Sequence, residues 1–432
     1  MTEGKTVVGI DIGTYKIVTV IAKVDEYVNV MGVSEVRSSG IKKGQIVDIE
    51  EAVAAINSSL EAAERMAGYN ANHIIASIGG SQIESQNSRG VVAVSNPSRE
   101  IADSDLMRVI DAAKAISLPS TRDILHVLPR NYIVDGQEGI KDPIGMTGIR
   151  LEVDTHIITA NSVSIRNLDK AFSEVGVDVD SYVFSGLASS LAVLTDTEKE
   201  LGVVCIDIGA GTTDISIYTD GSVSYSSTLA IGARHITNDL AIGLRISIES
   251  AEKIKLFLSQ NNPKKLIRPE EMSEKKDTKS SDEIDLADLN LPEELKKISY
   301  KTLVDGIIRP RLHEIFTMVG IEIKKSGFVG LIPAGIVVTG GGAQTVGLRE
   351  AAKRTLAMPV RIGTLTNIKG IIDEIQSPAF ASVIGLTMYG MKNATAEKQD
   401  LPFGLSMPKF GGGGGSKKFV GKLINLLKSF IP

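Results

Sequence analysis

Two aspartates, Asp11 and Asp207, each end an apolar run and open a turn of small residues. The later one is the plainer. Val203 to Ile206 reads as a buried strand, and Asp207-Ile208-Gly209-Ala210-Gly211-Thr212-Thr213 follows as a turn. A second strand then leaves over Asp214 to Tyr218. Glycines let backbone N–H groups approach an anion closely, and concave turns of this kind bind phosphate. Gly209, Ala210, Gly211, Thr212 and Thr213 are therefore candidate phosphate contacts. Asp207 stands at the mouth of the turn, where a hydrated Mg²⁺ would sit, since Mg²⁺ takes one or two carboxylates plus water and phosphate oxygens. A Gly-rich hairpin with no ligand explains one such stretch equally well. The second copy weighs against that reading. Val7 to Ile12 is again a strand carrying an aspartate, followed by Gly13-Thr14-Tyr15-Lys16, with Lys16 as a charge partner for phosphate or a solvated strand residue. A third strand, Ile336 to Thr339, ends in Gly340-Gly341-Gly342.

These turns need strands to hold them. Residues 5–33 alternate like an antiparallel meander, and 48–68 reads as a helix with Asp48 as its N-cap and Gly68 as its C-terminal stop. Residues 84–160 change texture: short strand-like runs surround one helix, from about Ser104 to Ile116, and form a compact α+β insertion. Ser185 to Leu194 is a helix of small and aliphatic residues, suited to close packing. Residues 260–297 are the most polar stretch and read as an exposed excursion, and 301–323 reads as an amphipathic helix interrupted near Pro310.

The chain of 432 residues is long enough for several domains. Apolar residues make up 43% and aromatics 4%, with no Trp, so its cores are aliphatic. Its net charge of −5 provides no general field for nucleic acid. Cys205 is the one cysteine and fits a reducing compartment as a buried hydrophobe. His126 and His156 have no metal-ligand spacing. No signal peptide is legible, and no run approaches the roughly 20 apolar residues of a spanning helix.

The last sixteen residues differ from the rest. At 100° per residue, Phe419, Val420, Leu423, Ile424, Leu427 and Phe430 share one arc, and Lys418 and Lys422 lie on the other. A basic amphipathic helix lies in the headgroup plane of an anionic membrane, where each lysine adds about 1 kcal/mol. A polar stretch from 393, with five glycines from Gly411 to Gly415 and then Ser416, makes a flexible tether, native or engineered.

Three strand-then-glycine units in this order resemble the actin-like ATPase superfamily. The resemblance implies two lobes whose aspartate hairpins grip ATP and Mg²⁺ from opposite sides, with Gly340, Gly341 and Gly342 against the nucleoside. The run Ala251-Glu252-Lys253-Ile254-Lys255 resembles the helix that meets ribose and adenine there, which makes Glu252 and Lys255 candidates. With the insertion, the tethered helix and the Ser185-to-Ser190 stretch, the whole chain resembles the FtsA family of bacterial cell-division proteins.

That resemblance implies an α/β fold of several pieces. The first-lobe core is 1–83 with 161–196 and about 376–392, and 84–160 is inserted in it. The second-lobe core is 197–240 with about 308–375, and 241–307 is its subdomain. A linker over 393–416 and a membrane helix over 417–432 follow. It also implies a peripheral protein on the cytoplasmic face of the inner membrane at the division site. There it would self-assemble into filaments, hold the C-terminal tail of FtsZ on the second lobe with Arg309, Arg311 and Glu314 as candidates, and recruit late division proteins through the insertion. Asp11 and Asp207 could organise water for hydrolysis, with Asp207 the catalytic candidate, or only bind. The alternatives are a pilus or shape-determining actin relative and a small-molecule kinase of the same superfamily. The kinase would need a catalytic aspartate in a substrate pocket.

Overall fold

The computed structural model describes residues 4–96, 98–260, 282–293, 295–370 and 375–399, the last helix by its backbone alone after 391. The helix expected over 417–432, with Phe419, Val420, Leu423, Ile424, Leu427, Phe430, Lys418 and Lys422, lies outside the described residues. So does the linker from 400 onward.

The chain opens with a meander, β1 (Lys5–Ile12), β2 (Lys16–Val24) and β3 (Val28–Arg37), with antiparallel pairing throughout. A short hairpin, β4 (Ile41–Lys42) and β5 (Gln45–Ile46), leads to α1 (Ile49–Ala67). The helix is capped as its ends require. Asp48 accepts from the Glu51 N–H at 3.1 Å, and Gly68 adopts φ 63°. Its buried residues, Ala52, Ala55, Ile56, Ser59, Leu60 and Ala63, recur every three or four positions and cover β2 and β3. The strand β6 (His73–Ile78) then runs parallel to β1.

A separate unit follows. The strands β7 (Glu84–Ala93), β8 (Arg122–Val134), β9 (Gln137–Ile140) and β10 (Arg150–Asn161) form a sheet in the order β7-β10-β8-β9, and α2 (Asp103–Lys114) packs on it. This unit has its own core, including Leu106, Val109, Ile110, Leu151, Val153 and Ile157.

The first lobe resumes with α3 (Ser162–Val175) and β11 (Asp178–Phe184), which pairs parallel to β6. The helix α4 (Ser185–Val193) packs against strands of both lobes, and α5 (Asp196–Leu201) leads into the second lobe. There β12 (Val203–Ile208), β13 (Thr213–Thr219) and β14 (Ser222–Leu229) repeat the antiparallel meander. After α6 (Arg234–Leu244) and α7 (Ile248–Gln260) comes a small hairpin, β15 (Glu283–Asp285) with β16 (Lys297–Ser299). The described part of the polar stretch is thus not wholly an exposed excursion. Leu286 and Leu291 are buried in the second-lobe core.

Next, α8 (Tyr300–Leu303) runs through a widened turn at Val304–Ile308 into α9 (Arg309–Ser326). The break expected at Pro310 is therefore displaced. Proline lacks an N–H and its ring crowds the carbonyl four residues back, and the wider turn just before it relieves both. The strand β17 (Ile336–Thr339) pairs parallel to β12, α10 (Leu348–Leu356) crosses over, and β18 (Val360–Ile362) pairs parallel to β17. The chain then returns to the first lobe at β19 (Ile368–Gly370), which pairs with β3. That is earlier than the boundary expected near 376.

The final helix, α11 (Ala381–Gln399), covers the face of the first sheet opposite α1. It continues past 393 to Gln399, where an irregular linker was expected.

The two main sheets run β11-β6-β1-β2-β3-β19 and β14-β13-β12-β17-β18. Five strands correspond one to one: β1, β2, β3, β6 and β11 match β12, β13, β14, β17 and β18 in order and direction. The central strands β1 and β12 are covered on both faces, which is why they read as near-continuous apolar runs.

Candidate functional site

The matching turns β1–β2 and β12–β13 face each other across a cleft of about 690 Å³ between the lobes. Gly13, Thr14, Tyr15 and Lys16 line it from the first lobe, and Gly209, Ala210 and Thr212 from the second. Gly211 does not line the cleft. A Cβ there would lie 2.8 Å from the Thr14 Oγ1, so its lack of a side chain is what lets the two turns come together. Thr213 also departs from expectation. Its side chain is fully buried and its hydroxyl donates to the Ile231 carbonyl at 2.8 Å, because neighbours on a strand point to opposite faces.

Its neighbour Asp214 therefore points into the cleft. It stands opposite Asp207 in the hairpin register, so three aspartates, Asp11, Asp207 and Asp214, line the cleft. Burial, then the charge of Asp11, lifts the Asp207 carboxyl to about 6, against hydrogen bonds from Ser189 and Ser382. Burial, then Asp207, pushes Asp214 up to about 8, against its bond from Thr228. Asp11 is raised by burial, with Ser77 and Lys16 opposing. Neighbouring carboxylates that burial makes resist ionising have the electrostatics of a site awaiting a cation.

Gly340, Gly341 and Gly342 line the cleft at the end of β17. Gly340 adopts φ 83°, and a Cβ there would collide with the Asp207 carboxylate. Just beyond, the Ser382 hydroxyl in the first turn of α11 donates to Asp207 Oδ2 at 3.1 Å. Also lining the cleft, Lys255 bonds Glu252 at 2.8 Å and the Thr237 hydroxyl at 2.9 Å. Lys16 bonds Glu35 at 2.7 Å and lies 4.1 Å above the Phe380 ring.

The comparisons match this geometry. Residues 80–159 match the model of the SHS2 domain inserted in FtsA, and 204–385 match that of the cell division protein FtsA. The chain is 40% identical over 385 residues to the cell division protein FtsA of Borreliella burgdorferi, covering 89% of this chain and 90% of that one. The chain belongs to the FtsA family. It is an actin-like cell-division protein. Among solved structures, the PilM-PilN type IV pilus biogenesis complex superposes with a TM-score of 0.62 at 14% identity, over 89% of this chain and 98% of that one. MreB 5 of Spiroplasma citri bound to AMPPNP superposes with a TM-score of 0.53 at 14% identity, over 92% and 99%. At such identities these two share the fold alone.

In this FtsA-family chain the SHS2 match falls on the unit built from β7 to β10 and α2. The candidate partner residues are occupied within the second lobe. Arg309 pairs with Asp305 at 2.8 Å, and Arg311 forks onto Asp239 at 2.6 and 2.8 Å and reaches Glu314 at 2.5 Å. Among the described residues no helix is long and apolar enough to cross a membrane, and no cluster of His, Cys, Asp and Glu forms a preassembled metal cage.

Sequence reasoning missed two residues of the site. Asp214 was legible, because it ends the same Asp-to-Asp turn and a two-strand hairpin puts it beside Asp207. Ser382 carried no signal, as it arrives from 175 residues away.

Proposed function

We propose that this chain binds ATP with Mg²⁺ in the interlobe cleft and assembles with copies of itself into filaments on the cytoplasmic face of the inner membrane. There it holds FtsZ filaments by the FtsZ C-terminal tail and recruits late division proteins through the inserted unit. One observation carries the nucleotide reading: glycine turns from both lobes face each other across three aspartates, Asp207 and Asp214 buried and Asp11 half-buried. The turns of Gly13 and Gly209 suit phosphate oxygens. Asp11 and Asp207 would hold Mg²⁺ through water, with Asp214 adding charge. The cation would neutralise the triphosphate and draw the carboxyls into their ionised form. Glu252 and Lys255 stand where ribose and base would lie, and Gly340 to Gly342 where a flat nucleoside could approach the backbone. Family membership and the basic amphipathic pattern of 417–432 support the membrane reading.

Filament formation and membrane binding reinforce each other. One short amphipathic helix binds lipid weakly and reversibly. A polymer presents many, and after the first has bound the rest bind as if intramolecular. Calorimetry with Mg-ATP tests the cleft: wild type binds, and Asp207→Ala does not. Flotation with anionic vesicles tests the tail, since removal of 417–432 should abolish it. Retained flotation would refute the membrane reading. Pull-down with an FtsZ tail peptide tests the tether, and the second-lobe docking site falls if Arg309→Ala with Arg311→Ala binds like wild type.

A further inference from the structure

The inserted unit does more than hang from the first lobe. Its edge strand β7 lies alongside β14, the edge strand of the second-lobe sheet. The two sheets do not merge into one ladder. Side chains take the place of a backbone partner. Ser85 Oγ donates to the Ser226 carbonyl at 2.6 Å and accepts from the Ser226 N–H at 3.1 Å. Asn87 Nδ2 donates to the Ser224 carbonyl at 3.2 Å, which leaves its Oδ1 as an acceptor.

His156 on β10 completes the seam. Its Nδ1 lies 2.7 Å from Asn87 Oδ1 and its Nε2 lies 3.0 Å from Ser226 Oγ. Asn87 Oδ1 can only accept, so Nδ1 carries the proton and Nε2 accepts from the serine hydroxyl. His156 and Ser226 are both almost wholly buried. Ser85 is half-buried and Asn87 exposed, so the network runs from the rim of the seam to a buried His156–Ser226 end, and its paired hydrogen bonds oppose sliding of one strand past the other.

The same strand reaches the cleft. Two residues beyond Ser226, on the same face of β14, Thr228 Oγ1 donates to Asp214 Oδ1 at 2.6 Å. On the other face, Tyr225 and Ser227 both bond Glu322 of α9, at 2.6 and 3.1 Å. A displacement of Ser226 is thus carried along a clamped strand to Thr228.

We propose that His156, Ser85 and Asn87 are positioning residues for the nucleotide cleft: through β14 and Thr228 they hold Asp214 in place, so the seating of the inserted unit and the occupancy of the cleft are one linked equilibrium. Linkage is reciprocal. Whatever loosens the seam weakens the nucleotide, and the nucleotide tightens the seam. The affinity part rests on the Mg-ATP reading above, and the exchange part does not.

The test uses the full chain and Mg-ATP. His156→Ala and Ser85→Ala should each weaken Mg-ATP at least threefold by calorimetry. Ser85→Thr, which keeps the hydroxyl, should restore wild-type affinity, and Met107→Ala on the exposed side of α2 should leave it unchanged. A loss in Ser85→Ala that Ser85→Thr does not restore, or equal affinity in all variants, overturns the proposal. Hydrogen exchange without nucleotide supplies the independent arm. Amides of 209–214, at the cleft end of β13, should exchange faster in His156→Ala and Ser85→Ala than in wild type. Unchanged exchange there overturns the proposal even if the wild-type chain binds no Mg-ATP, the result that would instead sink the nucleotide reading itself.

Discussion

Asp214→Asn should stabilise the ligand-free protein while weakening its ligand. Burial and Asp207 raise the Asp214 carboxyl from about 3.8 to about 8. The native state therefore keeps a proton that the unfolded chain loses above about pH 4. The sign follows directly. This group's contribution to stability is complete below pH 4 and is lost as pH rises toward 8, at about 1.4 kcal/mol per unit. From pH 5 to pH 7 the loss is about 3 kcal/mol. Asparagine cannot ionise, so the variant escapes that slope. Asp11, Asp207 and the buried histidines are present in both proteins and largely cancel in the difference. Urea unfolding in chelator at pH 5 and pH 7 measures it directly. The advantage of the variant over wild type should grow by about 3 kcal/mol across that interval, and Mg-ATP should narrow it by stabilising wild type more. Parallel pH curves for the two proteins would refute the account of the cleft as a site of suppressed carboxylates.

Three other expectations follow from individual contacts. Gly340→Ala meets both a positive φ and the Asp207 carboxylate, and should cost about 1–3 kcal/mol in thermal unfolding and remove measurable Mg-ATP binding. Arg361 forks onto Glu198 at 2.6 Å through two nitrogens and reaches the Val193 carbonyl at 2.8 Å. Arg361→Met should cost about 1–3 kcal/mol at pH 7. Arg361 also holds the Glu198 carboxyl below its usual range, so the penalty should shrink as pH falls below about 4, which acid titration of both proteins would show. Lys255→Met should weaken Mg-ATP in calorimetry more than it weakens magnesium pyrophosphate, because Lys255 stands with Glu252 and Thr237 on the helices α7 and α6 and not in a glycine turn.

The meander over 5–33, the caps of α1 and the aspartate-glycine turns were all legible in the sequence. Strand alternation, helix caps and tight turns are set by residues within a few positions of one another. The inserted unit was legible for a related reason, as short strands and one helix with their own apolar residues can close their own core. The family resemblance added what spacing alone could not, namely that three distant turns serve one cleft.

Tertiary structure decided what distance along the chain conceals. It turned Thr213 inward and Asp214 outward, brought Ser382 to Asp207, and returned the chain to the first lobe at β19. It also set the inserted unit against β14, through serines, an asparagine and a histidine that no local pattern distinguishes from ordinary surface residues. Local periodicity tells a residue which face of its own element it occupies. Which other element covers that face depends on how two lobes and an insertion pack together, and that is a property of the whole chain.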